Sequence, residues 1–415
     1  MKRIFFSLFI LISIVTITGC IPIITSLTAS PNPVVPSGTM TATVTAIKTD
    51  TGTLSYTWTA TTGWTITGYG PTATVVAPPE YNTTGALYVS VTDSLGGTAT
   101  RSLVISTTTA YTFTVGSAPW GIAVDASDNI WVSNFLDSTI TKLSNTGTII
   151  GTYSDIGGYG PAGIAIDASG NVWVANGNWG SDNLTELKPT GSFMGAFSVG
   201  HTPYCVAIDA SGNIWVANSS ANGNDPKVTK LNSSGVLIGS FVVGAAPPFG
   251  IAIDASGNAW VTFLNNTVTE LSPTGTTIAT YPVGMTPHGI AIDQSGNVWV
   301  ANHDDGTITK LAHDGTTTET FYIGNHPQAV AVDSIGNVWV TNDSDNGGIT
   351  ELNSNGTIIQ NYPMLQSTMG IAIDSSGNVW VTNNSNNTVT KLVGVTVGPE
   401  FFPYSGPQFP GGGNF

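Results

Sequence analysis

Seven positions in the chain share one setting and differ in chemistry. Trp120, Ala162, Tyr204, Phe249, His288, Gln328 and Met369 follow a proline in all but the last copy, and most precede a glycine. Side chains that vary inside a repeated frame are where specificity can be placed. Four of them carry rings, a set able to stack on a sugar, a peptide or another flat ligand. The same four would serve equally well as plugs in the mouth of a channel. Further along each copy stand Asn134, Asn176, Asn218, Asn302, Asn342 and Asn383, with Phe263 as the exception. Their amides either face the same mouth or satisfy backbone groups at strand ends. His303 and Asp304 follow Asn302 directly. The expected ligand-binding residues are therefore Trp120, Tyr204, Phe249, His288, Asn302, His303 and Gln328.

These residues need a frame, and the frame is a repeat. It is plainest at residues 289–300, Gly-Ile-Ala-Ile-Asp-Gln-Ser-Gly-Asn-Val-Trp-Val. Its aspartate recurs as Asp125, Asp167, Asp209, Asp254, Asp293, Asp333 and Asp374, at intervals of 42, 42, 45, 39, 40 and 41 residues. A tryptophan follows each: Trp131, Trp173, Trp215, Trp260, Trp299, Trp339 and Trp380. A period of this length marks one repeated supersecondary unit. Each copy holds two continuous apolar runs around an Asp-x-x-Gly-Asn turn, then two further strands. Runs that do not alternate are covered on both faces, as in sheets stacked radially. The expected fold is all-β, a seven-bladed β-propeller. Tyr111–Pro119 matches the fourth strand of a unit, and Thr388–Leu392 completes only a third strand, so the N-terminal strand is expected to close the last blade.

Inside this frame the tryptophans read as core and the aspartates as turn residues, not as an aromatic track or metal ligands. The third strand alternates Lys142, Glu186, Lys230, Glu270, Lys310, Glu351 and Lys391. The expectation is that neighbouring blades pair these charges around the ring. Stretches 302–306 and 342–348 resemble fragments of calcium loops but lack the terminal Glu. There is no Gly-rich phosphate loop, nucleophile elbow or zinc spacing. No metal and no cofactor are expected.

The rest of the chain sets an address. Of 415 residues only 8% are charged, and the net charge is −15. No basic stripe exists, so nucleic acid is excluded as a partner. Lys2 and Arg3 precede an apolar run at 4–18, too short to span a bilayer and patterned as a secretory signal. It ends Ile17-Thr18-Gly19-Cys20, which resembles a lipoprotein lipobox and implies lipid attachment at Cys20. Cys205 is then left without a disulfide partner and reads as a small buried residue. The expected domains are a signal at 1–19, a tether at 20–25, a β-sandwich at 26–107, the propeller at 111–394 and a Pro/Gly/aromatic tail at 395–415. The sandwich follows from short alternating strands such as Thr41–Ile47 and Leu87–Thr92. With Tyr56-Thr-Trp58 and Val89-Ser-Val-Thr-Asp93 it resembles bacterial PKD and Ig-like domains, although the PKD Trp-Asp-Phe-Gly-Asp-Gly signature is missing. Trp58 is expected between the sheets.

Pro-x-Gly-Ile-Ala-x-Asp-x-x-Gly-Asn-Val-Trp-Val resembles NHL-repeat propellers and, more closely, the seven-bladed virginiamycin B (streptogramin) lyases, over residues 111–394. The resemblance implies a Mg²⁺-assisted ring-opening elimination carried by entry-loop histidines on adjacent blades and a glutamate at a second-strand end. His288 matches one such histidine. Phe249 stands where the other belongs, and Asn302 where the glutamate belongs. The sequence therefore points to an exported, lipid-anchored, monomeric envelope protein with a non-catalytic propeller that binds an extracytoplasmic glycan, peptide or protein. The alternative is a divergent Mg²⁺-dependent lyase centred on His288.

Overall fold

The computed structural model describes residues 22–393, apart from 31, 33–35, 49–51, 178–180, 220–225, 245, 317, 325, 345–346 and 364–366. The signal segment, Cys20 and the aromatic tail lie outside the described residues. Two compact units meet at Thr108/Thr109.

The first unit packs two antiparallel sheets. One orders as β1 (Ile23–Ser30), β2 (Thr39–Ile47), β5 (Thr72–Val76) and β4 (Thr65–Thr67); the other as β3 (Leu54–Ala60), β6 (Thr84–Asp93) and β7 (Thr98–Ser106). Alternation sends Ala42, Val44, Val75, Leu87, Val89 and Val91 inward, and Trp58 joins them. Its indole N–H donates to Gly70 O at 2.9 Å. The first strand begins at Ile23, inside the stretch expected as tether, because Ile23 and Ile24 pair with Ile47 and Ala46.

The second unit is a β-propeller. Among the described residues it contains seven four-stranded antiparallel sheets, each built inside to outside in chain order except at the closure. The innermost strands touch in sequence, and that of the seventh sheet (Thr368–Ile373) returns to that of the first (Pro119–Val124). Closure is by β8 (Thr109–Thr114), which pairs with Thr388–Val393 in the register Phe113↔Val389 and Tyr111↔Lys391. Each of the seven sheets therefore has a fourth strand, and the outer edges that remain are short.

Each blade is welded by the Asp–Trp pair. The carboxylate caps its own turn: Asp125 Oδ1 accepts from Ser127 N and Asn129 N, both at 2.9 Å. Its Oδ2 accepts the indole N–H of Trp131 at 3.1 Å, and the same bond recurs in all seven blades at 2.9–3.2 Å, the extremes being Trp380 and Trp173. The tryptophans are at most 1% exposed. An outer-strand ring stacks on each, from Tyr153 on Trp131 (5.7 Å) to Phe113 on Trp380 (5.8 Å). Six of these rings also cover a glycine in the outer turn of the next blade: Phe197 of the second blade lies on Gly235 of the third, where φ is +76°. A side chain there would meet both the ring and the strain of positive φ.

The alternating charges do not pair across blades as Lys–Glu bridges. Lys142, Lys230 and Lys391 reach the capping aspartates of their own blades, Asp125, Asp209 and Asp374, at 3.3, 3.1 and 3.8 Å. Each ammonium also lies over its own tryptophan ring, 4.3 Å from the centroid for Lys230. What crosses the blade boundary is a hydrogen bond to backbone: Lys142, Lys230, Lys310 and Lys391 donate to Pro189 O, Pro273 O, Ser354 O and Asn145 O at 2.7–2.9 Å. In the intervening blades a glutamate takes the lysine's place beside the aspartate. Glu270 and Glu351 accept from Asn258 and Asn337 of their own blades, both at 2.9 Å. The short stem of Glu stops inside its own sheet, whereas the longer Lys stem reaches the next one.

Candidate functional site

The innermost strand of each blade starts at the proline, or Thr368, so the variable residue after it sits at one end of the ring. Hydroxyls fix several of these residues from the preceding blade. Ser133 Oγ donates to Ala162 O (2.6 Å), Thr262 Oγ1 to His288 O (2.8 Å), Thr341 Oγ1 to Met369 O (2.6 Å) and Thr382 Oγ1 to Trp120 O (2.8 Å). A serine or threonine in the second strand thus anchors the backbone that presents the next blade's side chain.

The side chains converge on a cavity of about 190 Å³ around the ring axis, lined by Trp120, Tyr204, Phe249, Gln328, Met369 and the inner-strand backbone. None of its lining side chains carries a charge. Above it the rings form an unbroken crescent. Phe135 meets Trp120 at 5.8 Å, Trp120 meets Tyr204 at 6.1 Å, and Tyr204 stacks on Phe249 at 5.2 Å. Phe249 stacks on His288 at 4.2 Å and 11°, His288 meets His303 at 4.5 Å, and His303 meets His326 at 4.8 Å. These separations lie in the range where ring pairs attract. Ala162 makes the crescent continuous: the blade between Trp120 and Tyr204 contributes only a fully buried methyl.

His288 is the polar centre. Burial pushes its imidazole down to about 4, partly offset by the bond to Gln328, so the ring is neutral at neutral pH. Its Nδ1 lies 2.6 Å from Gln328 Oε1. An amide oxygen only accepts, so the proton sits on Nδ1 and Nε2 is left as an acceptor. Burial likewise raises the Tyr204 phenol and the Cys205 thiol, keeping both protonated.

The expected residues thus divide. Trp120, Tyr204, Phe249, His288 and His303 come together in one crescent, and Trp120, Tyr204, Phe249 and Gln328 line the cavity. Asn302 does not join them. It is fully buried, and its Nδ2 donates to Thr307 Oγ1 and Thr309 Oγ1 at 2.9 and 2.8 Å. Asn134 and Asn383 bond the matching threonines of their own blades. The strand-end asparagines tie the second strand to the third, and Phe263 fills the same place with apolar volume. Phe135 and His326 belong to the crescent and were not picked out from the sequence. Each lies one or two positions from a residue that was, in the same loops: Phe135 after Asn134, and His326 before Gln328. Comparing whole loops between copies, not one position, would have found them.

The donor set does not fit Mg²⁺. That ion demands an oxygen-rich octahedron anchored by carboxylates. At the strand end beside His288 stands an amide turned into the blade; of the carboxylates that act on His288, Asp304 is bonded to Thr286 and His303 and Asp343 to Ser367. No step is therefore routed through magnesium.

No protein-family model matches the chain, and no curated protein matches it in sequence. Its fold is shared with solved structures. A streptogramin B lyase superposes with a TM-score of 0.61 at 20% identity, covering 68% of this chain and 96% of that one. A catalytically inactive virginiamycin B lyase from Staphylococcus aureus, solved with quinupristin, gives 0.61 at 18%, covering 68% and 98%. The extracellular domain of a hybrid two-component system from B. thetaiotaomicron gives 0.54 at 14%, covering 74% of this chain and 43% of that one. The second unit shares its β-propeller fold with the virginiamycin B lyases.

Proposed function

We propose that the protein is an exported lipoprotein, anchored through Cys20, whose seven-bladed propeller is a non-catalytic binding module of the cell envelope. An Ig-like sandwich would hold it off the membrane. The observation that carries the reading is the crescent from Phe135 to His326 over an uncharged cavity. Aromatic faces with a few fixed polar atoms (the Tyr204 hydroxyl, the Gln328 amide and His288 Nε2) suit a neutral ligand with flat apolar faces, such as a sugar ring or an aromatic peptide side chain. Glycan and peptide arrays probed with the full chain test it. Binding should fall at least about tenfold in Trp120→Ala and Tyr204→Ala, since anchors of this type dominate such sites. Retention of a ligand by both variants would refute the assignment.

A second reading rests on His288. A neutral imidazole with a clamped Nδ1 can accept a proton at Nε2, although a value of about 4 makes it a weak base at neutral pH. The fold is that of the lyases. Cyclic depsipeptide opening, assayed with and without EDTA, separates the readings. Metal-dependent turnover lost in His288→Ala would establish the lyase and displace the binding module.

A further inference from the structure

At the blade-five end of the crescent two imidazoles and a carboxylate meet across a blade boundary. His303 and Asp304 leave the second strand of the fifth blade; His326 enters the sixth. Their ligand atoms lie within 4.8 Å of one another. We propose that His303, Asp304 and His326 form a binding site for a late first-row divalent ion of the Zn²⁺ class, open toward the ligand crescent.

Two features show that these donors are already arranged for an ion. His326 Nδ1 faces the backbone carbonyl of His303 at 3.2 Å. That bond holds the proton on Nδ1 and leaves Nε2 unprotonated, the arrangement in which a carbonyl orients a metal-binding histidine. His303 Nδ1 and Asp304 Oδ1 are 2.8 Å apart. Tetrahedral donors with bonds of about 2.0–2.1 Å stand about 3.3 Å apart, so this pair opens by about 0.5 Å as the ion enters. When the ion enters, the His303 proton moves from Nδ1 to Nε2 and the ring stays neutral. Asp304 is steadied from behind by the Thr286 hydroxyl.

The frame holds the cluster in place. His326 has φ of +55°, a conformation that bulky residues rarely adopt. The matching pre-proline residues Ala118, Thr202 and Thr286 have φ of 51–54°, so the repeat imposes the geometry. Asp304 and His326 are exposed at their loop ends. Three protein donors leave one or more positions free. The His303 ring packs against His288 of the crescent, with ring centroids 4.5 Å apart. Imidazole nitrogens select Zn²⁺, Ni²⁺ or Cu²⁺ over Mg²⁺ and Ca²⁺. The site is distinct in residues and in ion from the Mg²⁺ chemistry rejected above, and it stands whether or not the crescent binds a sugar.

The test is calorimetric titration of the metal-stripped full chain with Zn²⁺ alone at pH 7.5, repeated with Co²⁺ for its visible spectrum. One equivalent should bind with micromolar or tighter affinity, unaffected by millimolar Mg²⁺. His303→Ala, Asp304→Asn and His326→Ala should each weaken it by at least about tenfold, the loss typical even of outer-shell changes at metal sites. His201→Ala is the control, since His201 and Asp182 form an exposed pair of the same chemistry at 2.9 Å with no third donor among the described residues. Zn²⁺ should raise the melting temperature of the wild type and the control but not of the other variants. Absence of saturable binding, survival of it in His303→Ala/His326→Ala, or equal loss in His201→Ala would each overturn the proposal.

Discussion

Glu351 is the least comfortable charge in the propeller, and removing it should stabilise the protein. It is 4% exposed, and Asp333 of the same blade lies beside it. Burial, reinforced by that aspartate, pushes its carboxyl from 4.5 up to about 7, against the opposing bonds from Tyr362 and Asn337. Tyr362 OH donates to Oε2 and Asn337 Nδ2 to Oε1, both at 2.9 Å. An acid with a raised native value favours folding while it is protonated. That stability is fully present below about pH 4.5 and is lost as pH rises through about 7. At about 1.4 kcal/mol per tenfold change, the span from 4.5 to about 7 corresponds to about 3 kcal/mol at pH 8. Glu351→Gln keeps the shape and the Asn337 bond, and removes the charge. It should therefore gain up to about 3 kcal/mol over wild type at pH 8 and nothing at pH 4.5. Urea unfolding followed by indole fluorescence at both pH values measures this, because the seven blade tryptophans report the propeller. An unchanged or lower midpoint for the variant at pH 8 would refute the reasoning, as would a wild-type midpoint with the same pH slope as the variant.

Three further outcomes follow from the same geometry. Gly235→Ala should cost about 2–4 kcal/mol, combining positive φ with a collision against Phe197, while Gly212→Ala, at φ +78° with only ordinary contact to Ser233, should cost about 1; equal urea midpoints for the two would remove the inter-blade ring contact. Lys230→Met leaves Asp209 buried without its cation and Pro273 O without its donor, so a loss of about 3–5 kcal/mol is expected by urea titration, and a loss below about 1 kcal/mol would show the pair to be ornamental. Among the five histidines, one should titrate by NMR with a midpoint at about 4 and be missing from His288→Gln; five midpoints between 6 and 7 would mean that the imidazole is not buried as described.

Much of the fold was legible because its signals are local and recur. The Asp-to-Trp interval encodes one hydrogen bond that appears in every blade, and the incomplete last repeat encodes the closure by Thr109–Thr114. The charge alternation misled for a definable reason. Alternating signs in neighbouring units suggest pairing between them, but the distance that decides the matter runs through the side-chain stem. The aspartate six residues before each tryptophan is nearer to the lysine than any glutamate in the next blade. Sequence periodicity reports that two positions are equivalent. It does not report which of several opposite charges is within 4 Å.

The site was legible only where one residue per repeat sufficed. Trp120, Tyr204, Phe249, His288 and Gln328 announce themselves by varying in a constant slot, and their convergence follows once the ring closes. Asn302 sat in an equally regular position and turned out to be structural, because regularity is what a structural amide shows. The tie from Asn302 to Thr307 and Thr309 is needed in its blade just as Asn383 needs Thr388 and Thr390. Within one repeated frame, the invariant polar residues hold the blades and the irregular ones form the crescent. His303, Asp304 and His326 are irregular in this sense, since no other copy places two imidazoles and a carboxylate at one blade junction. That is why the cluster reads as a site and the seven capping aspartates, each already occupied by turn amides and an indole, do not.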